Sequence, residues 1–65
     1  MSGVRKRLSG ELVQGARSLI LTTPEGDAWI VDTEEVDPSL IGQVVKIEGI
    51  ATRPGRIRAD WVGAA

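Results

Sequence analysis

The chain contains no cysteine and no histidine. The first absence excludes disulfides and thiolate metal sites. The second removes the commonest metal ligand and the commonest general base. Phenylalanine and tyrosine are missing too, leaving Trp29 and Trp61 as the only aromatics. No apolar run approaches the roughly 20 residues of a membrane helix. Residues 1–9 carry charges but lack the apolar stretch of a signal peptide. A cytoplasmic location with no membrane partner is therefore expected. Charge of one sign is not in excess: eight Lys and Arg face nine Asp and Glu, for a net −1. Dedicated nucleic-acid binders are usually basic, so this balance counts against one.

The groups left for catalysis are Asp, Glu, Lys, Ser and Thr, and no nucleophile–base constellation stands out among them. The expectation is a non-enzyme with no cofactor. Sixty-five residues allow one domain, with 1–5 and 63–65 as flexible ends.

What the chain does have is alternation. Five strand-like segments cover residues 6–13, 17–23, 27–33, 43–51 and 56–62, and no stretch keeps a helical period for two turns. The alternation predicts one inward set: Leu8, Gly10 and Leu12; Leu19 and Leu21; Trp29 and Val31; Val45, Ile47, Gly49 and Ala51; Ile57, Ala59 and Trp61. Both tryptophans fall on this core face.

The turns set registers. Gly15-Ala16 suits a two-residue type II′ turn, which sets Leu12 opposite Leu19 and Gly10 opposite Leu21. Thr23-Pro24-Glu25-Gly26 suits a type I turn closed by a glycine bulge, which sets Leu21 opposite Trp29 and Leu19 opposite Val31. A loop at Arg53-Pro54-Gly55 sets Gly49 opposite Ala59 and Ile47 opposite Trp61. Between the third and fourth strands, Asp37 is a good N-cap, Pro38 a good first helical residue and Gly42 a good stop. That is one helical turn, with Leu40 plugging the barrel end. The result is an all-β fold: a small five-stranded OB-like Greek-key barrel with one helical turn between strands three and four.

Gly10-x-Leu12, Leu19-x-Leu21, Gly26-x-x-Trp29-x-Val31-Asp32, Leu40-Ile41-Gly42-x-x-Val45-x-Ile47-x-Gly49 and Arg56-Ile57 together resemble a family of short, uncharacterised bacterial OB-like proteins. The resemblance spans residues 8–62. It implies a fold and no activity, because the matching positions are turns and core sites.

Three groups are candidate sites. Asp32, Glu34, Glu35 and Asp37 could hold a divalent cation through oxygen ligands. Their spacing fits no calcium loop, and a solvated run that favours the following helical turn explains them better; no metal is expected. Arg5, Lys6, Arg7, Arg53, Arg56 and Arg58 could contact nucleic acid. The usual binding face of an OB fold, strands two and three, here shows Ser18, Ile20, Thr22, Ala28, Ile30 and Asp32, with no aromatic platform. Any such binding should be weak and lost with salt. Finally, Ile20 and Ile30 face outward beside Val13, and a contiguous apolar cluster there would mark a protein interface. The expected function is a binding or interaction module, through a protein partner or weak homodimerisation on the outer face of strands one to three. The alternative is weak, sequence-tolerant nucleic-acid binding.

Overall fold

A computed structural model describes residues 3–65. Five strands form a closed barrel: β1 (Val4–Gln14), β2 (Leu19–Thr22), β3 (Ala28–Asp32), β4 (Val44–Arg53) and β5 (Arg56–Ala64). Around the barrel the order is β1-β2-β3-β5-β4, and β4 returns to β1. Only β3 and β5 run parallel; every other pairing is antiparallel. One 3-10 turn, Pro38–Leu40, lies between β3 and β4. This is the plan of a small OB-like barrel. The strands take in Val4, Arg5, Gly63 and Ala64. Met1 and Ser2, part of the N-terminal end expected to be flexible, lie outside the described residues.

The inward alternation builds the core. Leu12, Leu21, Val31, Val45, Ile47, Ile57 and Ala59 are buried, with Leu8, Leu19, Trp29, Val36, Leu40, Ile41 and Val62 packed around them. Each large aliphatic side chain taken fully out of water contributes about 1.5–3 kcal/mol. β1 serves two neighbours: Val4 to Glu11 pair with β4, and Glu11 to Gln14 with β2. The strand must bend where it changes partner. Gly10 sits there, and a β-carbon on it would lie 2.2 Å from the Thr22 carbonyl oxygen.

The Pro24–Gly26 turn places its strands as expected. Leu21 opposes Trp29 and Leu19 opposes Val31. The Gly26 N–H donates to the Thr23 carbonyl at 2.9 Å, and Gly26 takes φ 92°. The 3-10 turn also follows its signals. Asp37 accepts from the Ser39 N–H at 3.0 Å, and Gly42 reverses the chain at φ 89°. Two backbone bonds, Gly42 N to Leu12 O and Leu12 N to Gln43 O, stitch this segment to β1.

Two registers differ from expectation. The first hairpin pairs Leu12 with Leu21 and Gln14 with Leu19. Its loop is residues 15–18, closed by Gly15 N–H to Ser18 O at 2.8 Å, rather than a Gly15-Ala16 turn. The slip is by two residues, so every side chain keeps its face. The last hairpin turns on Pro54 and Gly55 alone, with Arg53 opposite Arg56 and Thr52 as an extra residue. Gly49 still meets Ala59, but the next pair is Glu48 with Trp61, and Ile47 meets Val62 instead of Trp61. Asp60 is the additional residue of a β-bulge, and it reverses the alternation beyond it. Trp61 therefore lies on the outside, 50% exposed, and Val62 takes the inward place. The expectation that both tryptophans belong to the core holds for Trp29, which is half-buried against it, and fails for Trp61.

Candidate functional site

The outer face of the first three strands carries one cross-strand row. Val13 pairs with Ile20, and Ile20 with Ile30. Directly opposed residues on one face have β-carbons about 5 Å apart, so the three side chains form one strip. Val13 is 38% exposed and Ile30 36%; Ile20 is half-covered, its Cδ1 lying close over Gly15. The row continues onto Arg56 of β5, opposite Ile30. Arg56 is not a loose charge. Its Nε donates to Asp32 Oδ2 at 2.7 Å and its Nη2 to Oδ1 at 2.9 Å. These bonds, with the fields of Arg53 and Arg58 beyond them, hold the Asp32 carboxyl below its ordinary range and raise the Arg56 guanidinium. The apolar strip thus ends at a neutralised pair.

The six cations considered for nucleic acid do not form one patch. Arg53, Arg56 and Arg58 lie around Asp32 at the end of the last hairpin. Arg5 and Arg7 point outward from the other half of β1. Arg5 grips Asp60 at 2.8 and 3.2 Å and reaches Glu48 at 3.5 Å, while Arg7 Nε lies 3.4 Å from Glu48. The hydrogen bond from Arg5 lowers the Asp60 carboxyl, and Asp60 in turn raises Arg5. Lys6 is exposed on the opposite side of β1, across from Gly49.

In the acidic run, Asp32 belongs to Arg56 and Asp37 caps the 3-10 turn, whose Ser39 N–H lowers its carboxyl. Glu34 and Glu35 line an open cleft with Asp32, Arg58 and Asp60, where β5 continues past the end of β3. Among the described residues no group of three or more potential ligands converges on one point, and no helix is long and apolar enough to cross a membrane.

Sequence reasoning missed Trp61 as a surface residue. The signal was present in the small pair Gly49 and Ala59. A β-carbon on Gly49 would lie 2.1 Å from the Arg58 carbonyl oxygen. So close an approach of two backbones marks the place where a strand bulges.

A family model described as protein of unknown function (DUF5818) matches residues 9–65, and the chain belongs to that family. No curated protein and no solved structure matches it.

Proposed function

We propose that this member of a family without an assigned activity is a non-catalytic interaction module that pairs with a second copy of itself through Val13, Ile20 and Ile30. The observation that supports this reading is the register. Three outward aliphatic residues stand side by side on three neighbouring strands, where scattered single residues would mean nothing. A two-fold arrangement is the simplest use of one strip, because the same patch serves both partners. Arg56 at the end of the row is already bound by Asp32, and Glu11, two residues from Val13 on the same strand face, is exposed at its rim. Closing two copies over the row itself leaves the Arg56 charge paired.

The strip is short, and its residues are already partly covered. Burying what remains exposed contributes about 1 kcal/mol per side chain, against the entropy of association. Weak, concentration-dependent dimerisation follows, strengthened where a larger assembly raises the local concentration.

Sedimentation equilibrium across a wide concentration range tests it. Wild type should show a monomer–dimer equilibrium, and Ile20→Lys should be monomeric throughout with unchanged far-UV circular dichroism. A folded Ile20→Lys protein that associates as wild type does would contradict the reading. So would a wild type that stays monomeric at millimolar concentration.

A further inference from the structure

On the far side of β1 from the apolar strip, β1, β4 and β5 expose a face of different chemistry. Its rows are Arg5, Ile50 and Arg58; Arg7, Glu48 and Trp61; and Ser9, Lys46 and Gly63. Trp61 stands here because of the Asp60 bulge. Its ring rests on Gly63: atoms Cη2 and Cζ2 are 2.5 Å from where a β-carbon on that residue would be. A glycine beneath the indole lets it lie close to the strand while half its surface stays open.

The charges around the ring favour an anion. Four cations, Arg5, Arg7, Lys46 and Arg58, share the face with three carboxylates, Glu48, Asp60 and, one row beyond Ser9, Glu11. Arg58 at its edge also lines the cleft of Asp32, Glu34 and Glu35. Glu48 and Asp60 are held in ion pairs with Arg5, and Glu48 also with Arg7. Arg7 keeps 84% of its side chain exposed despite its contact. Lys46 and Arg58 take part in no ion pair among the described residues. The whole chain carries −1, so this positive face is a local concentration of charge.

We propose that the β1–β4–β5 face binds single-stranded nucleic acid, with one base stacked on Trp61 and the adjoining phosphates held by Arg7 and Lys46. An exposed indole beside Lys46 and beside Arg7, whose contact with Glu48 leaves most of its side chain open, is the combination such binding uses, because every base offers a π-face and every linkage a negative charge. Arg7 and Trp61 are separated by one intervening strand, hence by about 10 Å at the backbone. Long side chains bridge that distance to a base and its neighbouring phosphates. The site is separate from the Val13–Ile20–Ile30 strip and does not depend on dimerisation.

The test is a titration of the protein with a fluorescently labelled single-stranded oligothymidylate of about twelve nucleotides, a length within the reach of one OB-sized barrel. Binding is read by anisotropy and by the Trp61 indole N–H resonance. Wild type should bind at low salt and shift that resonance. Trp61→Ala should weaken binding about tenfold, the scale of one lost stacking contact. Lys46→Glu and Arg7→Glu, both exposed changes, should each weaken it and flatten its salt dependence. Ile20→Lys should bind as wild type does, which separates this site from the dimerisation surface. The proposal fails if oligothymidylate does not bind at low salt, or if folded Trp61→Ala binds unchanged. It also fails if polyglutamate displaces the oligonucleotide at equal charge concentration, since the face would then be a general anion or acidic-protein surface.

Discussion

Trp61 and Trp29 show how differently two copies of one residue can be used. Trp29 sits among inward aliphatics and Trp61 on an outer strand face. Truncating Trp61 to Ala should therefore leave the protein folded, with a stability loss below about 1 kcal/mol, as for a surface change. Ile47→Ala should cost about 2–5 kcal/mol, because Ile47 is wholly enclosed. Urea unfolding of both variants checks the contrast, and a larger loss for Trp61→Ala would place the indole in the core. Gly49 is the other residue on which much depends. Its missing β-carbon is what lets β4 cross the Arg58 carbonyl. Gly49→Ala should prevent closure at that point and lower the melting temperature sharply, whereas Gly26→Asn should be tolerated, because Gly26 faces open space and Asn accepts positive φ.

Among elements, turns whose chemistry is local were legible and joints that depend on the whole barrel were not. Thr23-Pro24-Glu25-Gly26 presets one dihedral and supplies one positive φ, so the β2–β3 register could be read from four residues. Asp37, Pro38 and Gly42 marked the 3-10 turn for similar reasons. Residues 15–18 contain no proline, and Gly15 suited a shorter turn than the loop that forms. The faces survived that error because a slip of two keeps alternation intact. In β5 the slip was odd: continuous alternation from Ile57 carried Trp61 inward, and the bulge at Asp60 turned it out. That bulge arises where β4 and β5 approach closely, a tertiary demand that alternation alone does not announce and that only the small pair Gly49 and Ala59 hinted at. The apolar strip needed only faces, so Val13, Ile20 and Ile30 could be picked out before their adjacency was known. The cationic face around Trp61 could not. If the turn at Pro54 and Gly55 sets the bulged register, Gly55→Val should destabilise the hairpin, since Gly55 holds φ 78°. Loss of hydrogen-exchange protection in β4 and β5 ahead of β1–β2 would show it.

For the molecule as a whole, ion pairs link parts of the barrel that are remote in sequence. Arg56 and Asp32 join β5 to β3, and Arg5 and Asp60 join β1 to β5 across β4. Both carboxyls titrate below their ordinary 3.8. They therefore bind fewer protons folded than unfolded, and the stability they contribute is present above about pH 5 and lost as pH falls through and below about 3.8. Melting curves at pH 7 and pH 3 should show that loss, and Asp32→Asn should narrow the difference. The pairs are largely solvent-exposed, so the effect should be small and reduced by salt. Near-zero net charge leaves little long-range repulsion between copies, which suits a weak dimer. The most direct measurement of that dimer is an isotope-filtered NOE experiment on a mixture of labelled and unlabelled protein at high concentration. Intermolecular contacts among the methyl groups of Val13, Ile20 and Ile30 are the predicted result. Their absence, or intermolecular contacts confined to other surfaces such as Val44 and Trp61, would contradict it.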